Sequence, residues 1–163
     1  MTPLSLSNKY TSSPNRNTGY DRSKLNGSDH RNQHSEDRKL PDFDINNLNK
    51  ELFDKIADEC AKTIAGGNNK HNKSTQIRRF YDELVMWEER ASVSEEAYKN
   101  AEPFIYMIKS KVAYAKGRDT IDGTFKNFMY KVIDEISNTK SLKNAKMFME
   151  AVMGFYKSYR PKD

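Results

Sequence analysis

Apolar residues recur at steps of three or four positions through most of this chain, from residue 41 to the C-terminus. That spacing places them on one face of an α-helix, because the helix turns once every 3.6 residues. The first stripe predicts a helix closed by Gly66 and Gly67, and it consists of Ile45, Leu48, Leu52, Ile56, Cys60 and Ile64. No stretch of the chain shows strand or hairpin signals, so the sequence predicts an all-α fold.

Four further helices complete the predicted domain, which spans residues 41–163 and contains no internal repeat. The second helix runs from about Thr75 to Arg90, and Ser74 or Thr75 is expected to cap its N-terminus. The fourth is marked by Phe125, Phe128, Met129, Val132, Ile133 and Ile136. The fifth follows Ser141 and is marked by Met147, Phe148, Ala151, Val152, Phe155 and Tyr159. We therefore predict a bundle of about five helices.

The third helix is expected to begin at Pro103, since proline is favoured in the first position of a helix. Ser92 and Glu95 have the spacing of a capping box, which predicts a separate short turn ahead of that proline. Gly117 is expected to close the helix. Its predicted buried stripe is Phe104, Ile105, Ile108, Val112 and Ala115.

Residues 1–40 differ in composition from the rest of the chain, being rich in Ser, Asn, Arg, Lys and Asp without periodicity. Such a segment buries too little apolar surface to offset its loss of conformational entropy. It carries seven Lys and Arg against four Asp and Glu, a charge of about +3. We predict a disordered polar and basic tail. His30 and His34 have the spacing of a metal-binding pair, but without further ligands we interpret both as solvated.

Several functional classes lack support in the sequence. Cys60 is the single cysteine, which excludes a disulfide framework or a cysteine-rich metal site and favours a reducing compartment. No apolar run approaches the ~18 residues of a membrane span, and residues 1–20 lack the core of a signal peptide. Phosphate loops, dinucleotide fingerprints and nucleophile motifs are also missing. We therefore expect a soluble, cytoplasmic protein that is not an enzyme and uses neither cofactor nor metal.

Two stretches of the helical region contain basic residues but no acidic ones. The first, residues 70–81, includes Lys70, His71, Lys73, Arg78 and Arg79. The second, residues 103–118, includes Lys109, Lys111, Lys116 and Arg118. Lys109 and Lys116 are expected to share one helix face, because seven residues make almost two full turns. Together with a net charge of +5, these surfaces are suited to an acidic partner such as nucleic acid.

The first stretch gathers cations at the N-terminus of the second helix, which is the positive end of the helix dipole. Each cation there is unfavourable by about 0.3–1 kcal/mol. In one interpretation, Arg78 and Arg79 form ordinary surface ion pairs with Asp82 and Glu83, four residues further on. In the other, a phosphate at the helix N-terminus binds the backbone N–H groups and the arginines together, which reverses the penalty.

Two motifs in these stretches resemble a known family. The run KSTQIRRFYDELV, from Lys73, resembles the pattern Ser-x-Gln-hydrophobic-Arg-basic-Phe-Tyr. The run FIYMIKSKVAYAKGR, from Phe104, is similar to Leu/Ile-Lys-x-Lys-hydrophobic-x-Tyr-Ala-x-Gly-Arg. Both motifs, about 30 residues apart and followed by an ending rich in Phe, Met and Tyr, resemble the small subunit of the type III-A CRISPR effector, the Csm complex. The likeness covers roughly residues 70–159, and more loosely residues 43–64.

The resemblance implies a non-catalytic helical subunit that stacks into a short filament inside the effector, along the groove where guide RNA pairs with target RNA. The implied partners are both RNAs, the repeating backbone subunit that cuts target RNA, and the large subunit that carries DNase and cyclic-oligoadenylate synthesis. Self-association is expected to use aromatic residues that the bundle leaves exposed, namely Tyr98, Tyr106, Tyr130 and Tyr156.

The basic stretches and the two motifs together define the predicted RNA-binding residues, which are Lys70, Lys73, Gln76, Arg78, Arg79, Lys109, Lys111, Lys116 and Arg118. Tyr114 also matches the second motif, but Tyr114 and Phe80 are expected to pack in the core. Gln76 either contacts RNA or caps its own helix. The alternative function is a helical protein–protein adaptor whose basic patches are solvated and have no role in RNA binding.

Overall fold

Helices make up all the regular structure of the computed structural model, which describes residues 37–163. A π-helical segment, Leu52–Ile56, continues directly into α1 (Ala57–Ala65), and the chain then forms α2 (Ser74–Ala91), α3 (Glu95–Gly117), α4 (Gly123–Asp134) and α5 (Thr139–Tyr159). Five α-helices without a strand in residues 37–163 confirm the predicted all-α bundle. The tail predicted for residues 1–40 lies mainly outside the described residues.

The core forms where α5 packs against α1 and α2, and α3 packs between α2 and α4. Phenylalanine rings fill its centre: the ring centroids of Phe43 and Phe148 are 4.9 Å apart, and that of Phe128 lies 6.0 Å from Phe148. All six apolar residues predicted to mark the fourth helix are buried. Cys60 is also buried, and burial raises the pKa of its thiol to about 12, so this thiol is protonated and packs as an apolar side chain.

The first helix begins later than its apolar spacing predicted. Ile45 is buried, but it lies in a turn ahead of the helix, where its N–H donates to Glu135 Oε2 at 2.7 Å and its C=O accepts from Asn144 Nδ2 at 2.9 Å. Asn49 Oδ1 then accepts from the N–H of Leu52 at 3.0 Å. Leu48, in the same non-helical segment, is exposed, so its predicted burial was wrong. Polar contacts, some local and some with residues far along the chain, replace here the helical hydrogen bonds that the spacing suggested.

The third helix is longer than predicted, and the prediction that Pro103 begins it was wrong. Ser94 caps α3, because its Oγ accepts from the N–H of Ala97 at 3.0 Å. The predicted short turn is therefore the start of α3 itself. Pro103 lies on the exposed side of the helix, where water can reach the carbonyl that its missing N–H leaves unpaired. The buried stripe passes through Tyr98 and Ile105, whereas Phe104 is 48% exposed, contrary to expectation.

Arg38 attaches residues 37–40, which the sequence assigned to the tail, to the helical bundle. Its Nη2 lies 2.6 Å from Asp122 Oδ2, and its other donors reach carbonyls at the C-terminal end of α1. Burial alone would raise the pKa of Asp122, but hydrogen bonds from the Phe125 N–H, Asn72 and Arg38 outweigh it and lower the pKa below its usual value. The packed part of the chain therefore starts ahead of residue 41.

Arg160, just after α5, holds the loop between α1 and α2. Its buried guanidinium donates to the C=O groups of Ala65 at 2.8 Å, Gly67 at 2.9 Å and His71 at 3.3 Å. Asn72 adopts a left-handed backbone conformation, with φ of 55°, and its Nδ2 donates to the C-terminal end of α1. These contacts fix the path of the first basic stretch as it enters α2.

Candidate nucleic-acid interface

The two basic motifs meet in one groove, which lies between α2 and the C-terminal half of α3 and has a volume of about 460 Å³. We call it the α2–α3 groove. Four of the nine predicted residues line it, namely Gln76, Arg79, Lys111 and Arg118. Helix periodicity explains the convergence, since positions three or seven apart on a helix face the same way. The structure thus brings residues of both motifs together at one surface.

Two basic side chains of this groove, Arg79 and Arg118, and Lys116 in the same half of α3, lack an acidic partner among residues 37–163. Within residues 37–163, no carboxylate oxygen lies within 4.0 Å of the cationic groups of Arg79, Lys116 or Arg118. Arg79 and Arg118 are exposed, whereas Lys116 is half-buried. The groove therefore presents positive charge that the described part of the protein does not neutralise.

Glu83 is the one acidic residue that lines the groove, and it pairs with Lys111 across it. The Lys111 Nζ lies 2.5 Å from Glu83 Oε1. One of the two interpretations of the sequence paired Glu83 with Arg79, four residues away on α2, and the structure does not form that pair. Because Glu83 pairs with Lys111 of α3, Arg79 remains available to another anion.

Tyr114 is the groove residue that the sequence misplaced. It was expected in the core, yet it is 66% exposed, while Phe80 is buried as predicted. Arg118 Nη1 donates to the Tyr114 OH at 3.1 Å, and its guanidinium carbon lies 5.7 Å from the ring centroid. This hydrogen bond raises the pKa of Arg118 above its already high usual value, so the guanidinium stays charged at any working pH. The signal that could have located Tyr114 is its separation from the buried stripe by one position, or about 100°.

Four other predicted residues each pair with a carboxylate and do not line this groove. The pairs are Lys70–Asp119 (2.5 Å), Lys73–Asp163 (2.8 Å), Arg78–Asp82 (2.9 Å) and Lys109–Asp134 (2.6 Å). The ion pair between Arg78 and Asp82, one of the two interpretations of the sequence, is therefore present. Arg78 lines a second groove, between α2 and α5, and so points away from Arg79. Adjacent positions on a helix are 100° apart, which explains the separation.

The N-terminus of α2 has no side-chain cap, so the prediction that Ser74 or Thr75 caps it was wrong. Lys73 occupies the capping position, and Ser74 Oγ is buried without a hydrogen-bond partner among the described residues. The first turn also contains no acidic residue. Gln76 does not cap this helix either, because its side chain lies in the α2–α3 groove.

The aromatic residues expected to contact sister copies fall into two groups. Tyr98 and Tyr156 are buried, so their predicted exposure was wrong. Tyr106 is exposed and Tyr130 half-buried. Phe104 and Met107, on the outer side of α3, are exposed apolar side chains that the predicted set missed.

Other kinds of site find little support among residues 37–163. No group of three or more His, Cys, Asp or Glu side chains there is arranged to hold a metal ion. None of the described helices combines the length and the apolar character that crossing a membrane requires.

Comparison with known proteins identifies one family. Residues 47–162, which include all five α-helices and both basic motifs, match the family model described as Csm2 Type III-A. No curated protein and no solved structure matches the chain. The match extends over well more than half of the chain and agrees with the family that the two motifs resemble. The chain therefore belongs to the Csm2 family, the small subunit of the type III-A CRISPR effector complex.

Proposed function

We propose that this subunit is non-catalytic and binds the backbone of guide and target RNA through the α2–α3 groove. The observation that carries the proposal is the convergence of two motifs, about 30 residues apart in the chain, on one groove with uncompensated charge. Phosphates are the anions that such a surface attracts, and arginine can bind them with two parallel hydrogen bonds. Membership of a ribonucleoprotein family supports RNA as their source.

Each groove residue has a distinct role in this proposal. Arg79 and Arg118 supply guanidinium groups that pair with no carboxylate of residues 37–163 and are therefore available to phosphate. Lys111 exchanges its contact with Glu83 for a phosphate, and Lys116, in the same half of α3, adds to the positive field. Gln76 donates from its side-chain amide to a phosphate or sugar oxygen. None of these contacts reads sequence, because base pairing between guide and target already does so.

Assembly is the second part of the proposed function. In the effector, copies of the subunit stack as a filament beside the repeating backbone subunit and the large subunit, in the cytoplasm. Exposed apolar residues on α3, Phe104 and Met107, with Tyr106 nearby, offer surface for contacts between subunits. Paired residues such as Lys70, Lys73, Arg78 and Lys109 remain candidates for RNA contact once their carboxylate partners are displaced.

A protein–protein adaptor is the second candidate function, and one observation favours it. Phe104 and Met107 are 48% and 49% exposed and lie close together on α3. Apolar side chains on a surface are typical of protein contacts rather than RNA contacts. An adaptor that uses only this surface would not depend on Arg79 or Arg118.

Replacing both Arg79 and Arg118 by alanine is expected to weaken binding of duplex RNA about equally for all sequences. Each lost phosphate contact flattens the plot of log affinity against log salt by about 0.7–0.9, so two contacts remove about 1.4–1.8. Relative to 1 M salt, this corresponds to about 25- to 60-fold weaker binding at 0.1 M salt. Fluorescence anisotropy of labelled RNA at several salt concentrations measures both quantities.

A matched control removes two lysines elsewhere, Lys55→Ala with Lys143→Ala. Both are exposed and lie outside the groove, one ahead of α1 and one on α5. This variant has the same change in net charge, so it separates local contacts from overall charge. An unchanged affinity and salt slope for the groove variant, or equal losses for the two variants, would contradict RNA binding in the groove and favour the adaptor.

A further inference from the structure

We infer that the α2–α3 groove also holds an unpaired nucleotide, whose base stacks on Tyr114. The inference rests on the proposed RNA function and specifies one ligand of the same groove. Its starting point is a large aromatic ring that is 66% exposed inside a basic groove. Stacking of bases on aromatic side chains beside basic residues is a general way to bind single-stranded nucleic acid.

A hydrogen bond from Arg118 restricts the Tyr114 side chain. Arg118 Nη1 donates to its OH at 3.1 Å, and both side chains extend from the last turn of α3 and the residue after it. A ring restricted in this way loses less entropy when a base stacks on it than an unrestricted ring does. Its exposed surface is available to a flat ligand.

Charge is placed correctly for the phosphate of the same nucleotide. The Arg118 guanidinium carbon lies 5.7 Å from the ring centroid, and Arg79 lines the same groove from α2. A stacked base therefore holds its own phosphate near two arginines. The groove, with a volume of about 460 Å³, falls in the range of sites that enclose small molecules.

The ligand has to be unpaired, because a base inside a duplex offers both faces to its neighbours in the stack. The phosphate contacts of the proposed function are equally available on paired and unpaired RNA. Tyr114 therefore adds a preference that the arginines alone do not provide. In the same groove, the arginines bind backbone and Tyr114 selects a free base.

The test compares three labelled RNAs that share one duplex: a blunt form, a form with a three-nucleotide single-stranded tail, and a form whose tail is abasic. The two tails carry the same phosphates and differ only in their bases. We expect the full chain to bind the tailed RNA about 10-fold more tightly than the abasic form, because stacking on an aromatic ring is worth a factor of about 5 to 150 per base. In Tyr114→Ala the two tails should differ less than twofold.

Matched variants identify the ring as the cause. Tyr114→Phe keeps the stacking face and should retain the preference, although it loses the hydroxyl that Arg118 contacts. Tyr106→Ala removes another exposed tyrosine from α3, one whose OH donates to the C=O of Ile136, and should also retain the preference. Salt slopes should stay the same in all three variants, because none of the changes removes a positive charge.

A second readout needs no variant. With 2-aminopurine in the tail, stacking on Tyr114 should quench its fluorescence when the wild-type protein binds. Equal binding of the natural and abasic tails, without quenching, would overturn the inference and leave the proposed function intact. Failure to bind the blunt duplex would instead contradict the proposed function, and the inference with it.

Discussion

Replacing Arg160 by alanine is expected to lower the free energy of unfolding by about 3 kcal/mol, a large effect for one residue near the C-terminus. Its buried guanidinium donates to carbonyls of Ala65, Gly67 and His71, at the end of α1 and in the following loop. Without it, these carbonyls, of which that of His71 is buried and those of Ala65 and Gly67 are half-buried, lose their partner. A positive charge at the C-terminal end of α1, where the helix dipole favours it, is lost as well.

Chemical denaturation followed by circular dichroism measures this loss. Arg160→Lys keeps the charge but not the planar set of donors, so it should restore less than half of the lost stability. Lys162→Ala is the matched control, because Lys162 is exposed, and its change should stay within about 0.5 kcal/mol. A loss below about 1 kcal/mol for Arg160→Ala would mean that Arg160 does not hold the α1–α2 loop.

Reversing the charge of the α2–α3 groove is expected to have the largest effect on function. Arg79→Glu with Arg118→Glu removes two positive charges and adds two negative ones where we propose that phosphates bind. Binding of duplex RNA at 0.1 M salt should weaken by roughly 100- to 1,000-fold, since repulsion adds to the lost contacts. Both residues are exposed and have no carboxylate partner within residues 37–163, so folding should change little.

The matched control for charge reversal is Lys55→Glu with Lys143→Glu, which changes the net charge equally at exposed positions outside the groove. RNA binding and thermal unfolding are measured on both variants and on the wild type. A groove variant that unfolds normally and binds RNA as well as its control would show that neither arginine contacts the backbone. A large loss in both variants would point to overall charge rather than to the groove.

Periodicity predicted the fold well where burial alone decides the structure. The fourth helix is the clearest case, because every apolar residue that marked it is buried, Phe125 and Phe128 among them. Periodicity failed where polar contacts decide the local structure. Ile45 looked like a helical position, but its backbone hydrogen bonds go to Glu135 and Asn144, both far away in the chain. Contacts of that range leave no signal in local spacing.

The start of α3 was missed because the preference of proline for the first position of a helix, which holds on average, does not apply to Pro103. Proline is favoured at the start of a helix, yet Pro103 lies inside α3, since Ser94 supplies a better cap three residues after α2 ends at Ala91. An exposed proline inside a helix costs less than a buried one, because water can replace the missing hydrogen bond. The spacing of Ser92 and Glu95 was a nearby signal, and it placed the helix start within two residues of the cap.

Site prediction depended on which residues come together across helices. The motifs identified Gln76, Arg79, Lys111 and Arg118, and the bundle places them in one groove. The sequence did not show which basic residue pairs with Glu83. This residue lies four positions from Arg79 on α2, yet it pairs with Lys111 of α3. Tyr114 is a different case, because it lies one position, or about 100°, from the buried stripe of α3, and the helical period itself indicates its exposure.

The most direct test of RNA binding in the α2–α3 groove is ultraviolet crosslinking of the assembled effector, with crosslinked peptides of this subunit identified by mass spectrometry. We expect crosslinks to guide or target RNA at residues 76–83 and 111–118, on the two walls of the groove. The Arg79→Glu, Arg118→Glu variant should lose them. Crosslinks confined to other segments of this subunit, or their absence when neighbouring subunits crosslink to the same RNA, would contradict an RNA interface in this groove.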